Sequence, residues 1–411
     1  MSRDNAAAMC AACAIVQRKY PHILSIGCGC HCVDLMFKDF LKENMLKVLF
    51  VKAKAVIGIK KRRRAYATFK EKQKSKYGNN SKALILPGNT RFHVAYLTFL
   101  SLLQNKVALQ ETVLTEDLDI PERITDIVLD NRHFWPQVNF AVKFLKPLAE
   151  GTSLLEANDA KLSHVVAIFM HIKCPVIAAL DDDECTFTAV EQLKCKNIVE
   201  RRVAFSLKPV HLATYVVDPN FCGRGLSDRE GVIATDVITK MCEYLRLDEG
   251  KVIVNLLDFR ARANFFSNEA LWKFESVDAL TWWRGFCQQQ RLYPIAVILL
   301  SGVPTSIPCE RIWSGYEHID SKKRNRLSNA KIEKLVAVRS NYAIMHKKPK
   351  STKRENRLKI IKAYLRCPLL PDDEESGENL LETEFNDSDS DMGGPSTDPG
   401  SSFGESESDS D

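Results

Sequence analysis

Cys10 and Cys13 are separated by two residues, and Cys28 and His31 repeat that spacing further along the chain. A C-x2-C pair followed by a C-x2-H pair is a donor set that suits tetrahedral zinc. The competing reading is packing: Cys10 and Cys13 fall at i and i+3 of an expected helix, and free cysteines are among the most buried residue types. Two basic runs carry a second chemistry. KKRRR at 60–64 and the stretch 346–359, which includes HKKPKSTKRENRLK, offer phosphate contacts or nuclear import signals, with a solvated helix face as the alternative for the first. A third feature is Glu310, set beside Arg311 between an apolar run and the basic SKKRNRL.

The elements that must hold these groups are mainly helices. Residues 85–115 and 137–250 repeat apolar residues at spacings of three and four, as in FAVKFLKPLAEG and DVITKMCEYLRL. ILSIGCGCHCVDLMFKDFL, 23–41, reads as one strand followed by one amphipathic helix with Val33, Leu35, Met36, Phe37 and Phe40 inside. A strand at 23–28 without a partner would leave an open edge. LYPIAVILL places Pro294 in a helix first turn. The stretch 331–342 puts Ile332, Leu335, Val336 and Arg339 on one stripe, with Ser328 or Asn329 as N-cap.

At 411 residues, 45% hydrophobic and 27% charged, the chain has the length and composition for a substantial core. No apolar run reaches the roughly 20 residues of a membrane span, and the first residues lack the pattern of a signal peptide, so a soluble intracellular protein without membrane contact is expected. Thirteen cysteines, an odd number, argue for core thiols over a disulfide framework. The formal charge of +6 hides a division: 372–411 holds fifteen acidic and no basic residues, so the first 371 residues carry 58 basic against 37 acidic, a net of +21. Such a body attracts polyanions, nucleic acid first. The acidic tail cannot bury enough surface to fold. Its Ser388, Ser406 and Ser408 each precede an acid by three residues, and phosphate there would strengthen masking of the basic body.

LYPIAVILLSGVPTSIPCERIWSGYEHIDSKKRNRLSNAKIEKLVAVRSNYAI resembles the C-terminal dimerisation region of hAT-family transposases. TWWRGF at 281–286, PVHLATYVVDPN at 209–220, SRDNAAAMCAA, GCGCHCVDLMFKDF and NTRFH resemble further landmarks of that family, so the likeness covers about residues 2–344. It implies an RNase H-like core, interrupted by a helical insertion, in which three carboxylates hold two divalent ions for strand transfer. Asp4 matches the second carboxylate and Glu310 the third. The first lies on a strand upstream of the second, and only three residues precede Asp4 here, so a degenerate catalytic set without strand-transfer activity is expected. Mg2+ then matters only if catalysis survives. The alternative is that the chain is a fragment of an active transposase whose upstream part carries the DNA-binding finger and the first aspartate.

The residues have plainer readings too. Asp4 fits an N-cap for the helix that follows it, and Glu310 a helix-start carboxylate paired with Arg311 or a neighbouring helix. Phe92 stands where the family usually has a tryptophan near the cut and either stacks on a base or packs in the core; Arg91 is a phosphate contact or a surface cation. For dimerisation the resemblance points to Trp313, Leu327, Ile332, Leu335 and Val336.

The expected architecture is mostly α: a truncated RNase H-like α/β core at 1–45, a helical insertion at 46–268, the dimerisation region at 269–345, a basic linker at 346–371 and a disordered acidic tail at 372–411. The expected function is that of a transposase-derived nuclear protein that forms a homodimer and binds DNA without sequence specificity.

Overall fold

The computed structural model describes residues 2–3, 7–86, 93–157, 159–273, 277–307, 312–313, 316, 319 and 327–346. The chain divides into the units Met1–Pro368 and Leu369–Asp411, and every described residue lies in the first.

The chain starts with β1 (Ser2–Arg3), α1 (Ala7–Lys19), β2 (Ile26–Gly27) and α2 (Gly29–Phe40). β1 and β2 pair in parallel, with Ser2 opposite Ile26 and Arg3 opposite Gly27. A parallel pair needs a long crossover, which α1 supplies. The strand expected from 23–28 is therefore short and has a partner. Helix α2 buries Cys30, Cys32, Val33, Met36, Phe37 and Phe40, while Leu35, expected inside, is half-buried.

The body is helical. In chain order it comprises α3 (Asn44–Ile57), α4 (Arg63–Tyr77), α5 (Val94–Gln104), α6 (Lys106–Val113), α7 (Glu122–Leu129), α8 (Phe134–Glu156), α9 (His164–Asp181) and α10 (Ala189–Ser206). These are followed by α11 (Pro209–Val217), α12 (Asp228–Leu245), α13 (Glu249–Ala261), α14 (Ala279–Phe286), α15 (Tyr293–Leu300) and α16 (Asn329–His346).

Helix α8 is the axis of the body, packing against α9, α5 and α2. Its Phe140 and Phe144 stack with centroids 5.7 Å apart, and Phe144 meets Phe40 of α2 edge-on at 4.8 Å. Gly151 lets α9 approach closely, since a Cβ there would stand 2.7 Å from Ile172 Cδ1. Pro147 in α8 and Pro175 in α9 are both accommodated within continuous helices. By length and apolarity α9 passes as a membrane span; its hydrophobicity is that of a core helix, with Val165, Val166, Ile168, Phe169, Ile172 and Val176 buried.

Long-range polar ties fix the helices to one another. Asp39 on α2 is buried and accepts from Arg202 Nε at 2.8 Å, Arg201 Nη2 at 3.0 Å and Lys42 Nζ at 3.0 Å. Burial pushes its pKa up, but the hydrogen bonds from Lys42 and Arg202 outweigh that and hold the carboxyl below its ordinary range. On α10, Thr188 and Glu191 form a capping box, and Glu191 also accepts from the amide of Met45 at 2.9 Å, which joins the start of α10 to the start of α3.

His211 is buried on α11, where its Nδ1 accepts from the Lys208 amide at 3.0 Å. Burial, reinforced by the Lys208 charge, pulls its pKa down to about 4. The ordinary value is about 6.5, so folding favours the neutral ring. That contribution is complete above about pH 6.5 and is lost as the pH falls through about 4. Replacing His211 with Gln, which keeps an acceptor for the Lys208 amide, is expected to shrink the loss of stability between these values. Urea midpoints measured across the pH range check this.

Candidate dimerisation surface and carboxylate junction

The matched carboxylates Asp4 and Glu310 both lie outside the described residues, as do Arg91 and Phe92. The described segments beside Asp4 and Glu310 converge. Arg3, the residue before Asp4, pairs with Gly27. One residue further, the Ser306 amide donates to Cys28 Sγ at 3.5 Å, and the Gly29 amide donates to the Pro304 carbonyl at 3.0 Å. The start of α2 is thus bound to the 302–307 loop, which leads toward Glu310.

Two glycines make this approach tight. A Cβ at Gly29 would meet Leu155 Cδ2 at 3.3 Å and the Pro304 carbonyl at 3.4 Å; one at Gly302 would meet Leu162 Cδ2 at 2.9 Å. The loop is further held by a bond from the Leu162 amide to the Gly302 carbonyl at 3.3 Å.

Cys28 at this junction is buried beside Cys30. A hydrogen bond from Cys30 stabilises its thiolate, burial opposes this, and donors at Ser306 and His31 complete the set, lowering its pKa to about 6. Burial and the neighbouring Cys28 push the Cys30 thiol up. Among the described residues no three His, Cys, Asp or Glu side chains are grouped to hold a metal ion, Cys10, Cys13, Cys28 and His31 included.

The C-terminal part begins with an aromatic core. Trp283 on α14 is fully buried and donates through Nε1 to the Val217 carbonyl at the end of α11 at 2.8 Å. Around it stand Phe259 at 5.2 Å, Trp282 at 5.4 Å and Phe266 at 6.1 Å between ring centroids. Trp282 Nε1 donates to the Leu271 carbonyl and Trp272 Nε1 to the Phe266 carbonyl. Helix α15 packs on α14, α11 and α12 and buries Ile295, Ala296, Leu299 and Leu300. The expected role of Pro294 in its first turn is met.

Helix α16 has apolar residues on two faces. Ile332 and Val336, 2% and 8% exposed, form a small core with Ile319, covered by Tyr316 and Leu327. The other face carries Leu335, Val338, Tyr342 and Met345, exposed by 44%, 66%, 61% and 73%. Their spacing of three, four and three is that of the a and d positions of a heptad seam. Trp313, 66% exposed, meets Tyr316 edge-on at 6.2 Å.

The five residues singled out for dimerisation therefore divide. Leu327, Ile332 and Val336 pack within the chain, while Trp313 and Leu335 face outward. Arg339, placed on the same stripe from sequence, is exposed. Val338, Tyr342 and Met345 were missed, although a count at spacing 3.5 from Leu335 finds them.

The family model of the hAT family C-terminal dimerisation region matches residues 263–342. The match supports a hAT-family transposase-like protein. It spans the aromatic core apart from Phe259, together with α14, α15 and most of α16. No curated protein matches the chain.

Proposed function

We propose that the chain is a transposase-derived protein whose C-terminal region joins two copies through the outer face of α16, with Trp313 as a second anchor. The observation that carries this reading is the coincidence of the matched dimerisation region with an exposed heptad stripe. Four uncovered apolar side chains in one row are costly to leave in water and gain by mutual burial. Tryptophan is the residue type most often dominant in such contacts.

Asp4 and Glu310 match two of the three acids that the family's chemistry uses, and we propose that these two alone do not support strand transfer. Two carboxylates without the third hold both ions weakly and lack the bridge between them. The test is incubation of the purified chain with linear and supercoiled DNA in Mg2+ and in Mn2+. The expected result is no nicking and no joined product, with the same oligomer mass in Mg2+ and in EDTA; metal-dependent nicking that Glu310→Gln abolishes overturns this reading.

The runner-up is a fragment of an active transposase. Among the described residues the sheet has two parallel strands, β1 and β2, and a longer chain would supply the further strands that an RNase H-like core implies.

The wider role we propose is nuclear, with DNA held nonspecifically by the basic body. The net of +21 over the first 371 residues and the run 60–64 support both parts. The other proposed import signal, at 346–359, lies outside the described residues but for His346.

A further inference from the structure

Helix α4 carries the densest run of cations in the described body. Its inner face is fixed by Ala65, Phe69 and Gln73, which are buried. Gln73 Nε2 donates to Asn105 Oδ1 at 2.6 Å, and the helix packs on α6. The orientation of the outer face is therefore set by packing.

Two cations at the margins are used to anchor the helix. Arg62 Nη1 bonds Asp119 Oδ2 at 2.7 Å and Lys76 Nζ bonds Glu111 Oε1 at 2.8 Å. By contrast, Lys61, Arg63, Arg64, Lys70, Lys72 and Lys74 make no ion pair among the described residues. Lys61, Arg63, Arg64, Lys70 and Lys74 are exposed.

At 100° per residue, Arg63, Ala67, Lys70 and Lys74 fall in one row on the outer face, with Arg64 on its flank. The row is about 16 Å long at 1.5 Å per residue. Glu71 is the one acid of α4 and also sits on that face. Ala67, exposed between Arg63 and Lys70, leaves the middle of the row low.

We propose that this outer face of α4 is a docking surface for the phosphate backbone of duplex DNA, with Arg63, Arg64, Lys70 and Lys74 as the contacts. This rests on the DNA-binding reading given above and names the surface that performs it. A straight row of cations about 16 Å long spans several phosphates of one strand, which are 3.4 Å apart along the axis. Side chains of this kind position a duplex without reading its bases.

The same face argues against a single strand. Single-strand binders interleave cations with exposed aromatic platforms. On α4 Phe69 is buried, Tyr66 and Tyr77 are half-buried, and Lys70 Nζ lies 5.8 Å from the Tyr66 ring centroid.

The test is binding of the full chain to a short fluorescent duplex across a salt series. One variant replaces Arg63, Arg64, Lys70 and Lys74 with Gln; a control of equal charge change replaces the exposed Arg229, Lys240, Arg246 and Arg284 with Gln. Each lost phosphate contact lowers the slope of log K against log salt by about 0.9. The α4 variant is expected to lose about 3 to 4 in slope and at least about tenfold in affinity, and the control to keep the wild-type slope.

Far-ultraviolet circular dichroism verifies that α4 stays folded, and a milder Arg63→Gln/Arg64→Gln variant is expected to lose about 2 in slope. If wild type does not bind duplex, the DNA-binding reading itself falls. If wild type binds and the α4 variant keeps the slope of the control, or if the matching single strand binds more tightly than the duplex, the assignment to α4 is overturned while that reading stands.

Discussion

Trp283→Ala is expected to cost the most stability of any single aromatic truncation in the C-terminal region. The side chain is fully buried, in contact with Phe259, Trp282 and Phe266. Removing a buried tryptophan costs about 3–5 kcal/mol in lost transfer energy and residual cavity. The change also strands the Val217 carbonyl, which loses the Nε1 donor at 2.8 Å, at a further cost of about 1–3 kcal/mol. At about 1–2 °C per kcal/mol for a unit of this size, the unfolding midpoint is expected to fall by about 5 °C or more. Trp283→Phe keeps a ring but not the donor and is expected to fall between wild type and Ala. Thermal unfolding followed by circular dichroism reads both. A fall of under 3 °C for the alanine variant contradicts the place given to Trp283 at the centre of this core.

The second large effect is on assembly. Leu335→Asp combined with Val338→Asp puts two carboxylates into the middle of the exposed stripe of α16. In a dimer built on that stripe they are buried without partners, and each unpaired buried charge costs several kcal/mol. The dissociation constant is expected to rise at least about 100-fold, since 1.4 kcal/mol is a factor of ten. Because both residues are exposed within the chain, the monomer is expected to keep its unfolding midpoint to within a few degrees. Ile332→Asp behaves differently. Ile332 is buried against Val336 and Ile319, so its loss first destabilises the attachment of α16 to its own chain. A pair of variants in which Ile332→Asp dissociates the dimer without loss of helicity, while Leu335→Asp/Val338→Asp leaves it intact, would place the interface on the other face.

Much of the helical body was legible because its signal is local. The three-and-four spacing in FAVKFLKPLAEG and DVITKMCEYLRL became α8 and α12, and Pro294 took its place in the first turn of α15. Partnerships across long stretches of chain were not legible. Nothing near Asp39 announces Arg201 and Arg202, and a two-residue strand such as Ser2–Arg3 has no pattern until Ile26–Gly27 is beside it.

The stripe on α16 illustrates the same limit. From the sequence, Ile332, Leu335, Val336 and Arg339 form one face. In the fold Tyr316, Ile319 and Leu327 cover only part of that arc, so Ile332 and Val336 become core while Leu335 joins Val338, Tyr342 and Met345 outside. Which arc is covered depends on where the preceding segment runs, and helical periodicity does not encode that. The spacing of the carboxylates hid another relation: Asp4 and Glu310 are 306 positions apart in sequence, and only the packing of Gly29 and Cys28 on Pro304 and Ser306 brings the described segments beside them together.

The most direct test of the account is the mass of the full chain in solution, measured by light scattering coupled to size exclusion over a range of concentrations, for wild type and for Leu335→Asp/Val338→Asp. The account predicts twice the 46.5 kDa chain mass for wild type and a single chain mass for the variant. A wild-type monomer at every concentration, or a variant that stays dimeric, would contradict it.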